Sequence, residues 1–287
     1  MASDDLVSVI VPAYNHEHYV ADCLRSIVDQ TYRRLELLMV DDGSSDGTSE
    51  VIVGMLDSLR PRFEKLVHVT RPNKGTVATL NELISMARGE YVYLLASDDL
   101  AKPEAIETLH RFLARHRRYA LAVGDNEIID GRGVRVYWDQ QRNNVPDGPD
   151  VVFRTFGGFL RHDRPDVDFN SKDFGFPHTL AWGNYIPNGK MFRSSALRAV
   201  GGYREGTLED WYINCRLAGK YRLKYIDTIL ASYRWHNTNT IKDTDRIAKL
   251  AAETERVLEP EWRSLAFRVR AKVRRTRTAV RRRIVHR

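Results

Sequence analysis

The chain has 287 residues, 43% of them hydrophobic and 29% charged, which suits one large α/β domain or two small ones and excludes general disorder. Its formal charge of +7 is uneven: residues 263–287 hold ten arginines, one lysine and no acid, so the remainder sums to −4 and the basic character belongs to a tail. Two cysteines without metal-ligand spacing, Cys23 and Cys215, exclude a disulfide scaffold and fit a reduced, cytoplasmic protein.

The start, MASDDLVSVIVPAY, carries aspartates where a signal peptide carries lysines. No uninterrupted apolar stretch approaches the roughly 20 residues needed to span a bilayer. LVSVIVPAY (6–14) is a nearly continuous apolar run, as for a strand covered on both faces. Tyr19, Val20, Cys23, Leu24, Ile27 and Val28 recur at helical spacing. LELLMVDDGS (35–44) predicts a second strand. Asp46 can cap the next helix, whose stripe is Val51, Ile52, Met55, Leu56 and Leu59. KLVHVT (65–70) predicts a third strand, and Val77, Leu80, Leu83, Ile84 and Ala87 a third helix stopped at Gly89. YVYLLAS (91–97) and YALAVGDNEIID (119–130) predict strands four and five, with Pro103 in the first turn of the helix between them. Such alternation argues for a mostly parallel sheet flanked by helices.

Beyond residue 130 the pattern loosens. Gly131 to Gly133 read as a hairpin turn, and residues 139–183 as a long loop region. IPNGKMF (186–192) predicts a strand, followed by a short helix and the turn Gly201-Gly202. A helix starts near Glu209, residues 221–236 are extended, and residues 241–259 are helical with Ile247, Leu250, Ala251 and Leu258 as apolar positions. In the tail, Leu265, Val269, Val273, Val280 and Ile284 fall on one stripe of an arginine-rich amphipathic helix. That pattern reads as a membrane-surface element holding the protein at the inner face of the cytoplasmic membrane; a solvated basic end is the plainer alternative. The tail lacks the interleaved aromatics of a nucleic-acid binder, so no nucleic acid is expected.

Ligands of parallel α/β sheets sit beyond the carboxyl ends of the strands. There the sequence places Pro12, Ala13, Tyr14 and Asn15, then Asp41, Asp42, Gly43 and Ser44, then Lys74, then Ser97, Asp98 and Asp99. Adjacent Asp98 and Asp99 repel each other, and a hard divalent cation, Mn²⁺ or Mg²⁺, would relieve that while staying open to a diphosphate. The plainer reading is a pair of loop carboxylates near a helix start. Asp41 and Asp42 can accept hydrogen bonds from a base or ribose or simply make a turn; Tyr14 can stack on a base or form a rim; Lys74 can pair with phosphate or sit in water.

VSVIVPAYNHEHYVADCLRSIVDQTYRRLELLMVDDGSSDGT and NKGTVATLNELISMARGEYVYLLASDDLAKP resemble the opening of inverting family-two glycosyltransferases of the GT-A fold over roughly residues 6–130. The likeness resumes at LEDWYINCRLAG and YRWH. It implies a GT-A type, Rossmann-like α/β fold with a smaller acceptor-side subregion and a helical basic tail. Residues 1–130 form the nucleotide-sugar half, 131–240 the acceptor and catalytic-base half, and 241–287 the C-terminal helix and tail. It also implies transfer of a sugar from a nucleoside diphosphate, with UDP-hexose or UDP-N-acetylhexosamine favoured, to a glycan or lipid-linked acceptor, using Mn²⁺ or Mg²⁺.

By position, Pro12 to Tyr14 would contact the base, Asp42 the uracil or ribose with Asp41 close by, and Lys74 the nucleotide. Ser97-Asp98-Asp99 takes the place of the acidic metal motif, with Asp98 also near the nucleotide. The commoner form, Asp-Ser-Asp-Asp, has an acid where this chain has Ala96. Glu209-Asp210 resembles the pair carrying the catalytic base, Asp210 ahead of Glu209, and His236 lies where relatives place a histidine facing metal or diphosphate. The Gln-x-x-Arg-Trp motif of processive members is absent after Asp210, which implies single-sugar transfer. Pro12-Ala13-Tyr14-Asn15 is neither a basic triphosphate loop nor G-x-G-x-x-G, which argues against a nucleotidyltransferase and a dinucleotide oxidoreductase. Ala96 keeps one alternative open, a degenerate nucleotide-binding or membrane-tethered protein without transferase activity.

Overall fold

A computed structural model describes residues 5–262. Its elements, in chain order, are β1 (Val7–Ala13), α1 (Val20–Val28), β2 (Leu35–Asp41), α2 (Thr48–Leu59), β3 (Lys65–Thr70), α3 (Thr76–Met86), β4 (Tyr91–Leu94), β5 (Leu100–Ala101), α4 (Ala105–Arg115) and β6 (Tyr119–Ile129). They continue with β7 (Arg135–Trp138), β8 (Asn144–Val145), α5 (Phe156–Asp163), α6 (Pro177–Leu180), β9 (Lys190–Arg193), α7 (Ser194–Ala199), α8 (Glu209–Ala218), β10 (Arg222–Arg234) and α9 (Thr244–Trp262). The predicted basic helix of the tail lies outside the described residues.

The sheet runs β3-β2-β1-β4-β9-β6-β10-β5, with β7 and β8 extending from β6. Strands β3, β2, β1 and β4 are mutually parallel, as the alternation predicts. β9 is antiparallel to both β4 and β6, which makes β6 parallel to β4; β10 is parallel to β6. The sheet is therefore mixed, with β9 inserted against the run from a distant part of the chain.

Alternate residues serve opposite faces. Val7, Val9 and Val11 of β1 join Leu35, Leu37 and Met39 of β2 in a core with α1, α2 and α4. Ile10, Leu38 and Val40 face the other way, into a core with α3, α7 and α8. The predicted stripe of α1 is buried at Val20, Cys23, Leu24 and Ile27.

Three local expectations change. Gly89 does not stop α3, which ends at Met86 with Ala87 as its cap. Instead it lets the chain pass close to β1, since a Cβ there would lie 2.5 Å from the Leu6 carbonyl. Pro103 precedes α4 rather than sitting in its first turn. The region 139–183 contains α5, nucleated by Thr155, whose hydroxyl accepts from Gly158 N at 3.0 Å, as well as β8 and the short α6. Its aromatic residues carry no helical period because they serve several packing partners: Phe156 and Phe159 meet Trp138 edge-on, while Phe169 and Phe174 surround Tyr185 and Tyr225. Among the described residues no helix is long and apolar enough to cross a membrane.

Candidate active site

Because β1, β2, β4, β6 and β10 point the same way, the loops after them meet at one sheet edge. The loops after β1 and β2 are tied together: Asn15 N donates to Ser44 Oγ at 2.9 Å, and Ser45 N to Asn15 Oδ1 at 2.8 Å. Asn15 takes the left-handed conformation (φ 54°) that asparagine tolerates better than most residues. This turn leaves Tyr14 47% exposed beside the edge while Ala13 stays buried. Asp46 accepts from Thr48 N and Thr48 Oγ1, fixing the start of α2, and from Glu17 N at 3.1 Å.

The two aspartates after β2 have different surroundings. Asp42 receives Lys74 N at 2.8 Å, Gly75 N at 2.9 Å and the Arg71 guanidinium, so its carboxylate clamps the loop after β3. Asp41 accepts from Ser44 through Oδ1, while its buried Oδ2 has no hydrogen-bond partner among the described residues. The Lys74 side chain is exposed.

After β4 the chain turns sharply, with Asp99 N donating to Ala96 O at 3.1 Å. Asp98 and Asp99 are separated by this turn and point at different partners. Asp99 accepts from Arg234 N at 2.9 Å and from Asn188 Nδ2 at 3.1 Å. Asp98 instead faces His236, whose Nε2 lies 3.1 Å from Oδ2, and His16, whose Nε2 lies 3.8 Å away. Burial and the neighbouring Asp98 charge push Asp99 well above the usual carboxylate range. Burial also opposes ionisation of Asp98, but the His236 hydrogen bond and the two imidazoles outweigh it and hold Asp98 low. Burial lowers the His16 pKa despite the Asp98 charge, a direction that favours the neutral ring a metal ion needs. Arg234 braces the turn, its Nε donating to Asp98 O at 2.7 Å and its guanidinium lying 4.9 Å over the Tyr19 ring.

Asp98, His236 and His16 offer ligand atoms within 4.8 Å of one another. A carboxylate oxygen and two imidazole nitrogens fit a divalent cation that accepts mixed ligands. The other ring nitrogens are held by Ser97 Oγ at 2.7 Å from His16 and Thr238 Oγ1 at 2.8 Å from His236, the second layer that orients such ligands. Asp99 lies outside this group. His16 did not stand out in the sequence, although it directly follows the segment Pro12–Asn15 at the end of β1.

Glu209 and Asp210 open α8. Burial, then the Asp210 charge, raises the Glu209 pKa. Asp210 lies against Lys190 of β9, with Nζ 2.6 Å from Oδ2. Asn188 touches Asp99 and Lys190 touches Asp210, so one short segment entering β9 joins the acidic turn to the start of α8. Lys190 was not singled out in the sequence; its place inside the predicted strand IPNGKMF is the feature that could have drawn attention to it. A separate 540 Å³ pocket, lined by Arg117, Arg118, Lys172, Phe176, Lys220 and Arg222 among others, lies where β6 and β10 begin. It is at the opposite edge of the sheet and takes no part in this constellation.

The sequence model described as "Glycosyl transferase family 2" matches residues 8–178. The glycosyltransferase GlyG of Streptococcus pneumoniae is 37% identical over 108 residues, 37% of this chain and 35% of that protein. The poly(ribitol-phosphate) beta-glucosyltransferase of Bacillus spizizenii is 31% identical over 132 residues, 45% of this chain and 20% of that protein. The chain thus spans about a third or less of the length of these relatives. Among solved structures, S. aureus TarS 1–349 in complex with UDP-GlcNAc aligns with a TM-score of 0.58 at 21% identity, covering 83% of this chain and 60% of that one. The Pyrobaculum calidifontis mannosyltransferase PcManGT, in complex with GDP-Man and Mn²⁺, aligns at 0.58 and 19% identity, covering 80% and 56%. These structural likenesses establish the shared fold.

Proposed function

This chain belongs to glycosyl transferase family 2, and from that premise we propose that it moves a single sugar from a nucleoside-diphosphate sugar to an acceptor hydroxyl with inversion. The observation that carries the reading is the convergence of Asp98, His236 and His16 at the edge where β1, β4 and β10 end, with Asp210 tied to the same edge through residues 188–190.

Asp98 and His236, joined by His16, would hold the divalent cation. The mixed nitrogen and oxygen donor set favours Mn²⁺ over Mg²⁺, and the cation bound in the PcManGT complex is Mn²⁺. When bound, such an ion offsets the charge that grows on a departing diphosphate. Pro12, Ala13 and Tyr14 line the base side, the exposed Tyr14 ring supplying a stacking face. Asp41 and Asp42 shape the nucleotide subsite, and Lys74 stands free to meet phosphate. Asp99 supports the turn that presents Asp98. Asp210 takes the acceptor hydroxyl's proton; the oxygen forms a bond to the anomeric carbon, and the bond from that carbon to the diphosphate oxygen breaks, the diphosphate leaving with the electron pair. Attack opposite the leaving group inverts the configuration. UDP is the favoured carrier, since the TarS complex holds UDP-GlcNAc. The likeness to a poly(ribitol-phosphate) glucosyltransferase favours cell-surface polymer assembly as the setting.

A thermal-shift panel of nucleotide sugars with and without Mn²⁺ tests the reading. A ligand at 100 times its Kd stabilises by about 2.7 kcal/mol. The expected result is a shift from one nucleotide sugar that depends on Mn²⁺, followed by release of the nucleoside diphosphate. No shift with any donor would overturn it.

A further inference from the structure

Lys190 is 1% exposed, in the middle of an apolar sheet. Its backbone is fixed on both sides, opposite Leu94 of β4 and Val123 of β6. Its Nζ lies 2.6 Å from Asp210 Oδ2, off the line of an aligned hydrogen bond, and meets no other hydrogen-bonding atom among the described residues. A buried ammonium with one neighbour is costly to fold, because desolvation must be recovered from that neighbour alone. A strand interior would ordinarily hold an apolar residue here, as it does at Met191 and Phe192.

Two acids stand side by side at the start of α8, and like charges this close cannot both ionise freely. Lys190 contacts only one of them. We propose that Lys190 is a positioning residue for the transfer reaction: its ammonium selects Asp210 over Glu209 as the ionised carboxylate and fixes the direction in which that carboxylate points. The inference rests on the reading of Asp210 as the base. The other titratable groups facing the pair are Glu209, Tyr203 on the preceding turn and Arg246 of α9, with the Tyr93 hydroxyl of β4 close to Gly189. None of these supplies a second cation in contact with Asp210.

The proton removed from the acceptor goes to Asp210, and the ammonium's role is to keep that carboxylate deprotonated until then. Removing the ammonium takes away the cation that touches Asp210 and leaves Glu209 beside it, so the neutral variants are expected to take up a proton at this pair at higher pH than wild type.

The test uses the full chain labelled with 13Cγ-aspartate. The Asp210 signal is identified by its absence in Asp210→Asn, and its titration is followed in wild type, Lys190→Gln, Lys190→Met and Lys190→Arg. In Lys190→Gln and Lys190→Met the midpoint moves up by one pH unit or more, while Lys190→Arg stays near wild type. An unmoved midpoint in both neutral variants overturns the proposal. Kinetics with the nucleotide sugar found in the thermal-shift panel give the second reading. Lys190→Gln lowers kcat tenfold or more at pH 7 and moves the acidic limb of its pH profile upward, with the donor KM within about twofold. The double variant Lys190→Gln/Asp210→Asn is no slower than Asp210→Asn alone, because Lys190 acts through that carboxylate. A raised donor KM with unchanged kcat would make Lys190 a donor contact and overturn the proposal. If Asp210→Asn itself retains turnover, the base assignment fails instead, and the NMR titration still reports on the Lys190–Asp210 pair.

Discussion

Asp98 and Asp99 are neighbours in sequence and differ in their surroundings. Asp98 faces two imidazoles, whereas Asp99 has both oxygens engaged by Arg234 and Asn188. Asp98→Asn should therefore abolish the Mn²⁺-dependent part of donor binding, measured by calorimetry with and without chelator. His16→Ala should weaken Mn²⁺ affinity by about tenfold or more; equal affinity in that variant would remove His16 from the ligand set. Asp99→Asn should lower Tm and affect Mn²⁺ affinity less than Asp98→Asn does. Asp210→Asn should lower kcat by roughly 10²–10⁴-fold while nucleotide binding stays near wild type. Equal turnover would refute the base. The acid pairs were legible as residue types at strand and helix ends. For Glu209 and Asp210 the resemblance put Asp210 first; which of Asp98 and Asp99 turns toward the histidines was not legible, because that depends on Arg234 and Asn188, which arrive from elsewhere in the chain.

The elements that hold the site are connected by buried polar contacts as well as by apolar packing. Glu36 of β2 is fully buried and accepts from Ser8 Oγ of β1 at 2.6 Å and from Arg88 N at 2.7 Å, while Gly89 N donates to Ser8 Oγ. Burial opposes its ionisation, but the Ser8 and Arg88 hydrogen bonds outweigh this and hold its pKa below the ordinary range. A carboxylate with a depressed folded pKa contributes stability that is present above its unfolded pKa and lost as pH falls through the folded one. Glu36→Gln should cost about 1–3 kcal/mol at neutral pH and flatten the loss of Tm below the usual glutamate range; a parallel pH dependence in both proteins would contradict this. At β9 the sequence predicted a strand but not its direction or neighbours. Antiparallel insertion between β4 and β6 is what carries Asn188 and Lys190 to the carboxylates.

Across the molecule, charge is segregated: the arginine-rich residues 263–287 carry +11 against −4 for the rest. The proposal that this tail attaches the protein to an anionic membrane predicts that removing residues 263–287 abolishes flotation with phosphatidylglycerol vesicles and leaves turnover on a soluble acceptor unchanged. Undiminished flotation would end that proposal. By itself the sequence determined the strand–helix alternation, the two core faces and the edge at which the strand-end loops gather, because period-2 and period-3.6 burial are local properties of the chain. It also determined the acidic residues at the strand ends and the family they resemble. Only the tertiary structure decided that the sheet is mixed, that His16 joins Asp98 and His236, and that a buried lysine stands against Asp210. Those contacts link residues up to 138 positions apart, and no local periodicity encodes which distant side chain will fill a given space.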